Sequence, residues 1–488
     1  MFKPLKINIK LVFRFIGAML VVFGLFMALC IPLALLFNDT EIWSIVVSAL
    51  ITVVTGLFVR IMAGNIKEND IISNKEAYLI VTFGWIAIIF AGTLPYLFSS
   101  SISDVSDAVF ESVSGLTATG ATVFRDVESL TPGILLWRSL SQWLGGMGFV
   151  MLIISLIPVL GTGGLKVMSS DILDITSEKP GKTFIKSIRK IWIVYTLLTI
   201  VTAVVYKLGG MDSFDAVCHA FTTLSTGGFS THNNNISYFS PQLQYIIVFF
   251  MFIAGANFPL IVKALTAKPS SLFKSQELRY YFFIVCFVSM IISSVLVLVQ
   301  GYEIKTAIRE ALFQVTSFIS TTGYVVADYT LWIPPLWLIL FFLMLIGSCS
   351  GSSGGGIKIM RQMILLKNTS NSIKNIVNPN AVFGVRIDGK IINQDIIYNV
   401  LAYCFIYLIS FAIGSFLISL IGMDFKSAIG IAASAIGNIG PGLGYPGSLP
   451  VYDTLPVAGK WIMCALMFIG RLEFFTVFIL FFPSFWKK

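Results

Sequence analysis

The chain is 488 residues long, 56% hydrophobic, with a mean hydropathy of +0.88 and a formal net charge of +9. A soluble protein of this size has no interior that could hide so much apolar surface, which leaves an all-α polytopic membrane protein. The positive balance reflects topology and excludes a nucleic-acid binder: 25 of the 33 Lys and Arg fall at the two termini or in segments 60–75, 166–190, 263–279 and 358–390. Pairs of predicted crossings separate those segments, so they share one side, and excess Lys and Arg mark the cytoplasmic side. Both termini are therefore expected inside, with membrane lipid as the surrounding partner.

Two apolar segments come first, about 11–37 and 42–63, joined by the acidic turn Asn38-Asp39-Thr40-Glu41. The first follows Lys3, Lys6 and Lys10 but is too long for a signal peptide, so it reads as a retained helix. The six cysteines are scattered without a Cys-x-x-Cys pair and mostly sit in apolar runs, as small core residues do.

After the charged loop 65–76 a pattern repeats four times: an apolar segment, a short helix ending in a glycine turn, and a second apolar segment. The short stretches Asp107–Gly120, Asp215–Gly228, Glu310–Gly323 and Ser427–Gly440 align without gaps. Their turns read Ala-Thr-Gly-Ala, Thr-Gly-Gly-Phe, Thr-Thr-Gly-Tyr and Asn-Ile-Gly-Pro. Recurrence at long, similar intervals is the mark of an architecture built by repetition. The map predicts ten spanning helices and four half-helices, with the segments around 331–366 and 456–482 counted among the spans.

Polar, irregular backbone at membrane depth is tolerated only where it is buried in protein or lines water. Four such turns in register point to four walls of one pore. An ion leaving water needs oxygens in place of its hydration shell, and backbone carbonyls can supply them. Glycine reaches the required dihedrals without penalty. The short helices would aim their partly negative C-terminal ends at the site, while Asp107, Asp215 and Glu310 are expected to cap the opposite ends.

Ser225-Thr226-Gly227-Gly228-Phe229-Ser230-Thr231-His232, Asn438-Ile439-Gly440-Pro441-Gly442-Leu443-Gly444 and Gly347-Ser348-Cys349-Ser350-Gly351-Ser352-Ser353-Gly354-Gly355-Gly356-Ile357-Lys358 carry a resemblance. Together with the fourfold arrangement they resemble the Trk/Ktr/HKT superfamily of potassium transporters, over nearly the whole chain. The extra N-terminal pair is similar to its Trk branch.

The resemblance implies four M1–pore helix–M2 repeats around a pseudo-fourfold pore plus an N-terminal two-helix unit. The corresponding boundaries are 1–66 for the helix pair, then 67–165, 166–270, 271–378 and 379–488 for the repeats. It implies potassium uptake across a bacterial cytoplasmic (inner) membrane, with potassium bound at a selectivity filter of Thr119, Gly120, Gly227, Gly228, Thr322, Gly323, Asn438, Ile439 and Gly440. It further implies a homodimer and a cytosolic nucleotide-binding regulatory ring (RCK-type, TrkA-like), with no organic cofactor in this chain and no enzymatic activity.

The run Gly347, Ser348, Cys349, Ser350, Gly351, Ser352, Ser353, Gly354, Gly355, Gly356 is flanked by apolar residues on both sides and resembles the family's intramembrane gating loop. Arg471 lies in the apolar run Trp461–Phe482, where a cation is costly and faces a cavity or partner. It matches the family's arginine on the last pore-lining helix and is expected to act with the gate. Glu473, two residues on, is a poor partner for it. His219 and His232, with no ligand spacing, read as hydrogen-bonded structural groups. The rival reading is a proton- or sodium-coupled potassium carrier. Such carriers favour inverted repeats and midplane acids, whereas the repeats here share one orientation and the only mid-helix acid expected is Glu473. A hydrolase built on Ser350 or Ser353 lacks a His or Asp base nearby.

Overall fold

A computed structural model gives the fold; the structure describes residues 7–37, 39–64, 73–99, 101–156, 182–266, 269–381 and 383–487. The basic stretches 1–6, 65–72 and 166–181 lie outside the described residues, as does the expected boundary between the first two repeats.

Long apolar helices dominate because nothing in the bilayer except the helix itself can satisfy backbone N–H and C=O groups. The first pair is α1 (Ile9–Ala28), continued by α2 (Cys30–Leu36), and α3 (Ile42–Met62). Then come α4 (Asn74–Phe98), the short α5 (Val105–Leu116) and α6 (Pro132–Leu156). The second set is α7 (Lys182–Leu208), the short α8 (Ser213–Leu224), α9 (Pro241–Ala254) and α10 (Phe258–Thr266). The third is α11 (Gln276–Gln300), α12 (Ile304–Ile319), α13 (Pro334–Ile346) and α14 (Ile359–Val377). A two-stranded hairpin, Arg386–Ile387 with Lys390–Ile391, leads to α15 (Gln394–Leu420), the short α16 (Phe425–Gly437), α17 (Val457–Leu472) and α18 (Phe474–Phe478). The chain is thus an all-α polytopic membrane protein.

Among the described residues six helices are long and apolar enough to cross a bilayer, and two bent pairs raise the number to eight. The 25-residue α6 and the α13–α14 pair stand where the other two expected crossings fall. Two second segments that read as single spans are in fact broken, while that of the third repeat is interrupted at 347–356 as expected. The α9–α10 pair bends by 95° and the α17–α18 pair by 109°. At the first bend the Asn257 side chain accepts from the Leu260 backbone N–H at 2.9 Å and starts a new helix. At the second, Glu473 takes a left-handed φ of 60°, which a continuous helix does not allow.

The N-terminal pair packs on the first repeat. Ser73 and Glu76 form a capping box at the start of α4, and Glu76 also accepts from the Asn8 N–H at 2.6 Å, tying the first turns of α1 and α4 together. Between α1 and α3 the crossing is made at Gly17 and Gly56. A Cβ on Gly17 would lie 2.6 Å from the Gly56 carbonyl oxygen, and one on Gly56 would lie 2.8 Å from that of Gly17. Small residues let membrane helices meet backbone to backbone. We expect Gly17→Val to pry this pair apart at a cost of about 1–3 kcal/mol, the usual range for overpacking. A thermal unfolding scan of detergent-solubilised protein checks this: a lower midpoint is expected, with the ion preference of the pore unchanged.

Candidate functional site

The four short helices end in the same backbone turn. In each, the residue before the last glycine donates its N–H to the carbonyl five positions back: Thr119 to Ser114, Gly227 to Thr222, Thr322 to Ser317 and Ile439 to Ser434, at 2.8–3.0 Å. Each turn also has two left-handed residues separated by one. They are Ala118 and Gly120, Thr226 and Gly228, Thr321 and Gly323, and Asn438 and Gly440, with φ between 52° and 100°. Alternating the sign of φ turns successive carbonyls toward one side, where an extended strand would alternate them.

The turns meet in cyclic order. A Cβ on Gly120 would strike the Gly227 carbonyl oxygen, one on Gly228 that of Thr322, one on Gly323 that of Ile439, and one on Gly440 that of Thr119. The chain therefore closes a ring in the order one, two, three, four, one, with no room for a side chain at any joint. All residues of the four turns are buried. The carbonyl oxygens of Thr119, Gly120, Gly228, Thr322, Gly323 and Ile439 accept no hydrogen bond from any described residue. Buried carbonyls are nearly always paired with protein, water or an ion, so this ring is built to hold a cation or water.

The predicted filter residues thus come together, with two differences. The Gly440 oxygen is turned away and takes hydrogen bonds from Ser434 Oγ (2.7 Å) and Tyr452 OH (2.8 Å). The Gly227 oxygen accepts from Gln142 Nε2 at 2.7 Å, while Gln142 Oε1 accepts from the Phe229 N–H at 3.1 Å, so one side chain brackets Gly228. Sequence reading passed over these supports, and with them Glu111 and Arg138. Arg138 had a signal: it sits in an apolar run, as Arg471 does.

Another expectation is corrected. Asp107, Asp215 and Glu310 are not the helix caps. The caps lie three residues before the aligned starts Asp107, Asp215 and Ser427, at Asp104, Asp212 and Asp424, each accepting from a first-turn N–H, and α12 begins six residues before its aligned start Glu310, behind Glu303, without a side-chain cap. Asp107 instead accepts from Lys460 Nζ at 2.6 Å. Asp215 accepts from Thr231 Oγ1 at 2.7 Å and pairs with His232 Nε2 at 2.9 Å. Nor is Glu473 a mid-helix acid. It sits at the break after α17 and pairs with Arg361 (3.2 Å) and Lys358 (3.6 Å). Glu111, inside α5, is a fully buried acid that accepts from Arg138 Nε, the Thr122 hydroxyl and the Val123 N–H.

The 347–356 run lies directly against the base of the ring. Ser353 Oγ donates to the Leu224 carbonyl at the end of α8 (2.9 Å), and Thr226 Oγ1 donates to Ser353 Oγ (3.3 Å). The Gly355 N–H donates to Thr321 Oγ1 at 2.9 Å, and Gly355 packs on the Gly437 carbonyl closely enough to exclude a Cβ. Cys349 N–H donates to the Gly255 carbonyl at the α9–α10 break. Arg471 reaches in from α17: Nη1 donates to the Ser353 carbonyl (2.6 Å), and Nη2 to those of Gly145 (2.7 Å) and Gly146 (2.9 Å). Arg471 thus ties the Ser353 carbonyl of the run to the Gly145 and Gly146 carbonyls of α6.

Comparison with known proteins agrees with this geometry. The sequence pattern of the TrkH family, described as cation transport protein, matches residues 49–488. The chain belongs to the TrkH family. It is 33% identical over 485 residues to the Trk system potassium uptake protein TrkH of Halomonas elongata, covering 99% of this chain and all of that one. It is 34% identical over 432 residues to the protein of the same name from Escherichia coli K12, covering 87% and 88%. Its fold is similar to the crystal structure of the potassium transporter TrkH from Vibrio parahaemolyticus, with a TM-score of 0.89 at 31% identity, covering 99% of this chain and all of that one. These relatives are transporters, and the chain is not an enzyme.

Outside the ring of this TrkH-family chain lies a small open cleft, lined in part by Gly120, Gly228, Arg138, His232 and Val451. His232 stacks on Tyr238 at 3.8 Å and bridges Glu128 of the first repeat and Asp215 of the second. Burial works to lower the His232 pKa, but hydrogen bonds and charge from Asp215 and Glu128 outweigh it, so the net shift is upward. A folded-state value above the unfolded one stabilises the fold fully below the ordinary imidazole value of about 6.5, and the stabilisation is lost as pH rises through the raised value. The thermal midpoint should therefore fall on going from pH 6 to pH 8 by more in the wild type than in His232→Asn. Equal slopes in the two scans would count against the bridge.

Proposed function

We propose that this chain is a potassium uptake pore of the bacterial cytoplasmic membrane, with the ring of four turns as its selectivity filter. The observation that carries the reading is the set of six buried carbonyl oxygens, in four turns that close a ring, that no donor among the described residues reaches. Such oxygens replace the water of a partly dehydrated alkali ion, and the names of the relatives specify potassium. Thr119, Gly120, Gly228, Thr322, Gly323 and Ile439 supply the oxygens; Gly227, Asn438 and Gly440 shape the turns. The boundaries expected from the sequence, at 66, 165, 270 and 378, divide the N-terminal pair from four pore repeats, with both termini cytoplasmic.

Residues Gly347 to Gly356 form the gate. The support is their position at the base of the ring, with Arg471 holding the Ser353 carbonyl against it. Small residues and three glycines at positive φ (Gly347, Gly351 and Gly356) let such a segment move aside at little conformational cost. Its links to the α9–α10 break and to Lys358 give a cytosolic subunit levers on it. By family resemblance that subunit is a nucleotide-binding ring of the TrkA type acting on a homodimer.

Gly228→Ser would put a side chain into the Thr322 carbonyl and a left-handed φ on a non-glycine residue, worth about 1–2 kcal/mol before any contact is counted. Bi-ionic reversal potentials of reconstituted protein should show potassium preference over sodium falling about tenfold, which corresponds to about 1.4 kcal/mol. An unchanged preference in folded protein would sink the filter assignment. For the gate, Arg471→Gln should raise potassium flux in the absence of any partner several-fold, read as rubidium-86 uptake into vesicles. No rise would reduce the 347–356 segment to a linker.

A further inference from the structure

The outer halves of filter walls one and two share a buried ionic support. Glu111 lies in α5 with its side chain fully buried, and Arg138 lies in α6 at 2% exposure. Arg138 Nε donates to Glu111 Oε1 at 2.8 Å. Glu111 also accepts from Thr122 Oγ1 at 3.0 Å and from the Val123 N–H at 3.1 Å, two and three residues past Gly120. On its other side the guanidinium donates to the Ser230 carbonyl at 3.4 Å and to Thr122 Oγ1 at 3.2 Å. Its plane lies 4.1 Å from the ring of Phe229, the residue after Gly228. A single cation therefore binds the chain leaving wall one and the chain leaving wall two, and Glu111 keeps it neutral overall.

The other two walls are held differently. Wall three uses Ser317 Oγ on the Tyr324 carbonyl at 2.7 Å, and wall four uses Ser434 and Tyr452 on the Gly440 carbonyl. Among the described residues the fully buried ion pair belongs to walls one and two; the pairs that reach the fourth repeat, Asp107–Lys460 and Arg125–Asp453, are partly exposed. An arginine fork held by a carboxylate is stiffer than a hydroxyl, because its charge-assisted bonds are shorter, stronger and fixed in a plane. A buried ion pair is by itself weak evidence of a stabilising role, since apolar groups often replace one without loss. The pair stands between two walls and beside the cleft outside the ring, which Arg138, Thr122, Phe229 and Ser230 help to line.

We propose that Glu111 and Arg138, joined through the Thr122 hydroxyl, are positioning residues that set the ion selectivity of the filter by fixing the separation of walls one and two. This rests on the ring being the filter. The same pair sets the charge at the entrance: with Glu111 neutralised, an uncompensated guanidinium faces the vestibule and repels entering cations.

The test uses full-length protein reconstituted in vesicles, reading the sodium-to-potassium permeability ratio from bi-ionic reversal potentials, with monodispersity and thermal midpoint recorded alongside. Three variants are compared: Glu111→Gln, the doubly neutral Glu111→Gln with Arg138→Gln, and Thr122→Val, which removes the shared hydroxyl while leaving both charges and the side-chain shape. Each is expected to raise the ratio at least threefold. Glu111→Gln alone should also lower potassium flux at low ionic strength, with recovery at high salt as the stray charge is screened. A purely structural pair would shift the thermal midpoint and leave the ratio alone, and that result in the double variant or in Thr122→Val overturns the proposal. If Glu111→Gln does not fold, the double variant decides; if neither folds, Thr122→Val does. Gly228→Ser runs in parallel. A changed ratio there with none in these variants removes the positioning role but keeps the filter, whereas no change in Gly228→Ser removes the filter itself.

Discussion

The structure depends on four backbone turns meeting oxygen to glycine around one axis. At each joint the carbonyl of one repeat occupies the space a Cβ would need on the next. The contact is a steric constraint before it is a binding site: it fixes how close the repeats come, and three of the four joint carbonyls, those of Thr119, Thr322 and Ile439, have no donor among the described residues. Holding that geometry costs energy. Ala118, Thr226, Thr321 and Asn438 all sit in left-handed backbone, at about 1 kcal/mol or more each. Such strain persists only where surrounding structure over-determines it. Here the repeated N–H to carbonyl bond inside each turn and the buried C-terminal halves of the short helices behind it do so.

Around this fourfold ring everything else departs from symmetry. One repeat pair is braced by an ion pair, the other two walls by hydroxyls and Tyr452. The second helix of repeat three dissolves into small residues beneath the ring, while those of repeats two and four break at Asn257 and Glu473 and leave groups for that segment to hold. Repetition explains how four turns of one chain close a ring; divergence explains how equivalent positions came to hold a buried ion pair, a run of small residues and Arg471. Arg471 joins these roles, because its guanidinium reaches carbonyls of repeats one and three from a helix of repeat four.

Much of this was legible in the residues. The constant spacing to Gly120, Gly228, Gly323 and Gly440 located the turns, because only glycine tolerates that φ at a joint with no space. The run 347–356 and Arg471 stood out because small polar residues and a cation are expensive among apolar neighbours. The caps were misplaced because Asp104 and Asp107, or Asp212 and Asp215, are equally plausible helix starters three residues apart, and only the observed first turn tells them apart. Alignment from the glycine backward favoured the inner acid, whereas the helices begin at the outer one. Glu111 and Arg138 were overlooked because their partnership spans 27 residues and depends on how α5 packs against α6, which no periodicity records.

The sequence by itself determined a membrane protein with an uneven charge distribution, four repeats and four glycine turns. Those properties follow from local rules: apolar length, side preference of Lys and Arg, and the dihedral freedom of a residue without a side chain. Only the tertiary structure decided the order in which the turns touch, which carbonyls stay unpaired, and which acid serves as cap, brace or hinge. These depend on distances between residues far apart in the chain, set by the packing of helices against each other, and a one-dimensional pattern carries no record of them.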